Sequence, residues 1–135
     1  MPVPSPPSIL IIGGGLSGAA LAWQLVRHAA APLRVRVVGR DGAIGAGVAY
    51  RTSHPGHLLN VRTRAMSLDP DDAGHLMAWL HSRGAGAAQT WEASLDPDGF
   101  LPRGLYREYV SHALREAEAN ASEGVTLERI AGDAV

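Results

Sequence analysis

The run Gly13-Gly14-Gly15-Leu16-Ser17-Gly18 has the G-x-G-x-x-G spacing with which a backbone can bind a diphosphate without using a charged side chain. Gly13 would permit a tight turn, Gly15 would let the main chain approach a pyrophosphate, and Gly18 would let a helix lie close to a strand. The donors would be main-chain N–H groups at the start of that helix, which have no partner within it, so Gly14, Leu16 and Ser17 belong to the same candidate cradle. This chemistry requires a strand entering the turn and a helix leaving it.

The flanking residues meet that requirement. Residues 8–12 form a short β-branched and apolar run that stops at three glycines, as a buried parallel strand does. Beyond it Leu16, Ala19, Ala20, Trp23 and Val26 recur at helical spacing, with polar residues mostly between them, until Pro32 ends the pattern. Residues 33–38 then alternate and close in Val37-Val38, which reads as a second strand. The three elements make a βαβ unit, whose crossover is expected to be right-handed.

One part of the dinucleotide pattern is absent. An acidic residue normally closes the second strand and accepts hydrogen bonds from a ribose, but that position is Gly39. Arg40 and Asp41 follow directly. Asp41 could reach a ribose from the loop, and Arg40 could meet a 2′-phosphate or an adenine face, or remain a solvated surface residue.

From Gly39 to Arg64 no period persists, and five glycines with Pro55 mark a long loop of the kind that usually carries function or lacks order. Asp69-Pro70-Asp71-Asp72 reads as a helix start with Asp69 as N-cap. That helix is expected to run to about His81, with Leu76, Trp79 and Leu80 inward and Gly84 or Gly86 ending it. Asp96-Pro97-Asp98-Gly99 is a turn. Pro102 opens a further helix in which Leu105, Tyr109, Ala113 and Ala117 face inward until Gly124. Residues 125–127 read as a third strand, and 130–135 as the start of another. Residues 1–7, rich in proline, read as a disordered arm before a domain spanning 8–135.

Other chemistries find little support. The chain has 135 residues, a net charge of -1 and no cysteine, which excludes disulfides, thiolate metal sites and a cysteine nucleophile. A near-neutral charge gives no field for nucleic acid or an anionic membrane. The strongly apolar run 9–12 is far below the roughly 20 residues of a spanning helix. The absence of cysteine fits a reducing compartment, so the cytoplasm is the expected location, and residues 1–8 do not read as a signal peptide. His54 and His57 lack a helix to aim them and a third ligand, so no metal site is expected. Ser17 and Ser67 have no evident base partner, so a hydrolase triad is unsupported. Arg51, Arg62 and Arg64 make the central loop basic, which would suit a phosphate-bearing cofactor.

The long loop carries a second, ordered set of residues. Gly45-Ala46-Gly47-Val48-Ala49-Tyr50 is followed by His57-Leu58-Leu59-Asn60-Val61-Arg62, by Met66-Ser67, and by Phe100-Leu101-Pro102-Arg103 with Tyr106 and Tyr109. In that order the set resembles the bacterial FAD/NAD(P)-binding proteins whose N-terminal domain shows G-x-G-V-A-Y, H-L-L-N-V, M-S and F-x-P-R-x-x-Y-x-x-Y. The resemblance covers about residues 9–109 and extends distantly to flavin-dependent N-hydroxylating monooxygenases.

It implies an α/β, Rossmann-type three-layer fold in which FAD lies along the carboxyl ends of the strands. Gly13, Gly15 and Gly18 would contact the pyrophosphate, and Tyr50, Asn60, Met66 and Ser67 would lie near the flavin. An FAD-dependent oxidoreductase is implied, a monooxygenase with NAD(P)H as reductant and a small-molecule substrate being one form. In such enzymes the flavin does the redox chemistry, so no catalytic side chain need be present. An NAD(P)-dependent dehydrogenase with Arg40 on a 2′-phosphate, and a non-catalytic dinucleotide-binding module, are the alternatives. A doubly wound sheet would place these strands in the order 3-2-1, an incomplete half. A second chain, or further residues after Val135, is therefore expected to complete the sheet.

Overall fold

A computed structural model of the chain describes Met1, residues 4–83 and residues 95–135. The order of elements is strand β1 (Ser8–Ile12), helix α1 (Leu16–His28), strand β2 (Leu33–Gly39), a single 3-10 turn (Thr63–Ala65), helix α2 (His75–Ser82), helix α3 (Arg103–Ala119) and strand β3 (Val125–Ala131). The chain divides into two compact units, one of Met1–Val48 with Val110–Val135 and one of Ala49–Tyr109.

The first unit contains a parallel sheet in the order β1-β2-β3, as expected for an α/β half of this type. Its register places Ile11 beside Val37, and Val35 between Ile9 and Leu127. Side chains alternate across a strand, so these residues share one face, on which Ile11, Val35 and Val37 are buried. Burying a side chain of this size contributes about 1.5–3 kcal/mol. Leu10, Arg36 and Glu128 form a row on the other face, and Ile12, Val38 and Ile130 form the next row. Leu10 and Ile12 are exposed there, and the Arg36 Nε donates to Glu128 Oε2 at 2.9 Å across β2 and β3.

Helix α1 turns Ala19, Ala22, Trp23 and Val26 inward. Ala22 rather than Ala20 completes that stripe, because i, i+3, i+4 spacing from Ala19 selects it. The Arg27 guanidinium lies 4.6 Å from the Trp23 ring centroid. At the end of α3, both terminal nitrogens of Arg129 on β3 donate to the Glu118 carboxylate, at 2.9 and 2.7 Å. That fork joins helix to strand and raises the pKa of Arg129.

Residues 130–135 do not begin a new strand. Ile130 and Ala131 extend β3, paired with Val38 and Gly39, and the strand ends there. Asp69 and Pro70 do not start α2 either. Gly74 is its N-cap, and residues 69–74 form turns in which Asp69 Oδ1 accepts the Asp71 N–H and Asp72 Oδ1 accepts the Gly74 N–H. An aspartate satisfies an N–H two residues on as readily as it caps a helix, so the same residues suit both structures. The inward residues Leu76, Trp79 and Leu80 are as expected, and Gly84 and Gly86 lie outside the described residues.

In the second unit, Leu58 bridges Pro102 in antiparallel fashion. The Leu59 N–H donates to Leu101 O and the Arg103 N–H donates to His57 O, both at 2.8 Å. The expected turn at 96–99 forms, its Gly99 N–H donating to Asp96 O. The N–H groups of Thr63 and Arg64 donate to Gly99 O and Pro97 O, which ties that turn to residues 63–64.

Candidate functional site

The structure constrains the three glycines of the motif differently. Gly13 has φ +112°, a region that side chains rarely adopt. Its N–H donates to Val38 O at 2.8 Å, which anchors the turn to β2. A Cβ at Gly18 would overlap the Gly13 carbonyl oxygen and come within 3.4 Å of Ile11 Cγ2, so only glycine lets α1 start so close to β1.

Gly15 differs from both. As N-cap of α1 it has φ -73° and ψ -172°, ordinary extended backbone, and a Cβ there would meet nothing nearer than Gly47 Cα at 3.9 Å. Nothing inside the protein requires glycine at this position. Gly15 gives α1 no side-chain cap, so the first-turn N–H groups, those of Leu16 and Ser17 among them, are left without the partner that a serine, threonine or aspartate would supply.

Gly14 serves the protein itself. Its carbonyl accepts the Gly45 N–H at 2.8 Å, and a Cβ would come within 2.6 Å of Ala43 O. The G-x-G segment at 45–47 is thereby held against the turn. Gly39 closes β2 beside it, with its carbonyl accepting the N–H groups of both Gly42 and Gly132 at 3.0 Å. Asp41 Oδ1 accepts the Ala43 N–H at 3.1 Å. Arg40 Nε donates to Asp133 Oδ1 at 3.0 Å.

Tyr50, Asn60, Met66 and Ser67 belong to the second unit. The Tyr50 ring lies 5.3 Å from that of Tyr106, which lies 5.6 Å from that of Tyr109; Trp79 and His75 approach Tyr109 from 5.5 Å each. Asn60 is exposed, and Met66 caps the 3-10 turn with its N–H on Thr63 O. The Ser67 hydroxyl donates to Asp72 O at 2.6 Å, with Asp69 O at 3.1 Å the second partner of the same proton, and accepts the Asp69 N–H, which organises the turn before α2.

Two arginines of the basic loop are engaged with Asp98. Arg62 donates to its carbonyl at 2.6 Å, and Arg64 pairs with its carboxylate at 2.7 Å. Arg103, of the F-x-P-R segment, organises the loop: its guanidinium donates to the carbonyls of Leu58 and Ala49. An arginine following proline gave no signal of that role. His54 and His57 stack at 4.8 Å, and among the described residues no group of three or more His, Cys, Asp or Glu could hold a metal ion. Among the described residues no helix is long and apolar enough to cross a membrane.

The tyrosine cluster has a consequence for pH dependence. The fully buried Tyr109 hydroxyl accepts the Leu68 N–H at 3.0 Å and shares a hydrogen bond with His75 Nδ1 at 2.6 Å. Burial, the largest cause, raises the pKa of both Tyr106 and Tyr109, and neighbouring tyrosines and aspartates add to it. The folded state therefore keeps protons that the unfolded state loses above the ordinary tyrosine value of 10.0. Stability is expected to be level below that pH and to fall as pH rises through and beyond it. Tyr109→Phe should cost about 1–3 kcal/mol at neutral pH by orphaning the Leu68 N–H, yet flatten the alkaline decline. Urea unfolding across pH 8–11.5 reads both effects, and an equally steep decline in Tyr109→Phe would contradict this account.

Comparison with known proteins agrees with this geometry. The family model described as FAD-NAD(P)-binding matches residues 10–135, which takes in the glycine turn, the long loop, most of β1 and the whole of β2 and β3. No curated protein matches the chain at a significant level. With the turn, the parallel β1-β2-β3 order and the match over nearly its whole length, the chain belongs to the FAD-NAD(P)-binding family, whose domain binds FAD or NAD(P).

Proposed function

We propose that this chain holds FAD on the 13–18 turn as the cofactor-binding part of a flavin-dependent oxidoreductase. In its fullest form the proposal is a cytoplasmic monooxygenase that uses NAD(P)H and acts on a small-molecule substrate. The observation that carries it is Gly15, a glycine that nothing in the protein's own packing explains. Bound there, the flavin would supply the redox chemistry. The chain's own part is to bind and orient: the Leu16 and Ser17 N–H groups hold the diphosphate, and the 45–47 loop braces the turn through the Gly45–Gly14 hydrogen bond. The choice of FAD over a nicotinamide nucleotide rests on the ordered segments 45–50, 57–62, 66–67 and 100–109, with Tyr50, Asn60, Met66 and Ser67 proposed on the flavin side.

Titrating the purified chain with FAD, NADH and NADPH tests this. FAD is expected to bind at one equivalent, with quenching of flavin fluorescence, and at least about tenfold more tightly than either nicotinamide nucleotide. Tighter binding of NADPH would overturn the choice of FAD.

A further inference from the structure

The carboxylate that normally closes β2 and holds the ribose is missing, and the structure shows why its place cannot simply be refilled from the neighbouring loop. A Cβ on Gly39 would meet Ala43 O at 3.2 Å and Gly14 Cα at 3.5 Å, so a side chain there would crowd the Ala43 carbonyl, which would have to give by a few tenths of an ångström. Asp41, the next acid in sequence, has one carboxylate oxygen committed to the Ala43 N–H of that same loop.

A different carboxylate reaches the same corner from β3. The Gly132 N–H donates to Gly39 O at 3.0 Å, which binds the segment after β3 to the end of β2. The next residue, Asp133, faces Arg40, the residue after Gly39, and the two pair through one nitrogen and one oxygen at 3.0 Å. Their side chains remain 85% and 67% exposed, so the terminal guanidinium nitrogens and the second carboxylate oxygen stay open to a ligand. The pair stands at the carboxyl ends of adjacent parallel strands, where doubly wound sheets bind their ligands.

We propose that Arg40 and Asp133 together read the adenosine ribose of the bound dinucleotide, with Asp133 supplying the carboxylate that Gly39 lacks, and that the pair favours a free 2′-hydroxyl over a 2′-phosphate. The proposal rests on the dinucleotide reading of the glycine turn. An ionised carboxylate only accepts hydrogen bonds, which suits the two ribose hydroxyls as donors. A 2′-phosphate in that place would bring a second anion against Asp133. Arg40 would welcome the phosphate by itself, but its charge is already met by Asp133. Sequence order pointed to Arg40 and Asp41; the fold substitutes Asp133 for Asp41.

The test compares FAD, NADH and NADPH affinities, by calorimetry, in the parent chain, Asp133→Asn and Asp41→Asn. The Arg40–Asp133 pair is a surface ion pair, which contributes little to stability, and an asparagine at 41 keeps an oxygen for the Ala43 N–H, so both variants should fold, and matching unfolding midpoints verify it. Asp133→Asn is expected to weaken FAD binding about tenfold and to shift the NADPH to NADH preference about tenfold toward NADPH. Asp41→Asn should leave both quantities within about twofold. If the parent binds FAD and Asp133→Asn retains its affinity and discrimination, this proposal alone fails, and the same holds if Asp41→Asn produces the loss. A parent that binds no dinucleotide overturns the reading of the turn and this proposal with it.

Discussion

Replacing Gly18 with alanine is expected to lower the unfolding free energy by about 3 kcal/mol or more. The new methyl group would coincide with the Gly13 carbonyl oxygen, and its next neighbours are the Gly13 carbonyl carbon at 3.2 Å and Ile11 Cγ2 at 3.4 Å. None of these is the free end of a flexible side chain. Relief requires α1 to move away from β1, which would loosen the buried stripe of Ala19, Ala22, Trp23 and Val26. Overpacking a well-filled core typically costs about 1–3 kcal/mol, and a clash with fixed backbone belongs at or above the top of that range. Against a usual total of about 5–15 kcal/mol this is a large fraction. Gly132→Ala is the control, since a Cβ there meets nothing within 4 Å. Equal midpoints for the two variants in urea would show that the close approach at Gly18 does not matter.

Gly15→Ser should do the opposite. Serine is among the best N-cap residues and the backbone at 15 already has the extended conformation that N-caps adopt, so stability is expected to rise by a few tenths of a kcal/mol. Dinucleotide binding should nonetheless fall by more than about 100-fold. The hydroxyl would satisfy first-turn N–H groups that the proposed function assigns to the diphosphate, and its Cβ would narrow the approach to them. Losing two hydrogen bonds to a charged group, at about 1.5 kcal/mol each, corresponds to that factor. A Gly15→Ser chain that melts higher and binds FAD like the parent would remove the phosphate from this turn. Together the two substitutions test separately the two roles that the motif assigns, Gly18 to the fold and Gly15 to a ligand.

Much of the first unit is legible in the residues because its signals are local. The bounds of β1 and the start of α1 follow from where an apolar run meets three glycines, and β2 from alternation that ends at Gly39. In α3, which contributes to both units, the stripe Leu105, Tyr109, Ala113 and Ala117 is likewise buried as its spacing requires. Signals with two local solutions were less informative. Asp69-Pro70-Asp71-Asp72 suits a helix start and a pair of aspartate turns equally, and the turns formed because Ser67 holds the Asp69 and Asp72 carbonyls before α2 begins at His75. Likewise Ile130 and Ala131 look like a new strand until the register on β2 claims them for β3.

By itself, then, the sequence determined that the chain makes a strand–turn–helix–strand unit able to approach a diphosphate, since glycine spacing and hydrophobic period act over a few residues. Only the tertiary structure decided that Gly14 is closed in by the protein's own backbone while Gly15 has room for a Cβ, and which carboxylate stands at the end of β2. Those answers depend on residues far apart in the chain: Ala43 O against Gly14, Gly132 on Gly39, and Asp133 on Arg40. No local pattern encodes such meetings, because they are consequences of parallel strands ending side by side.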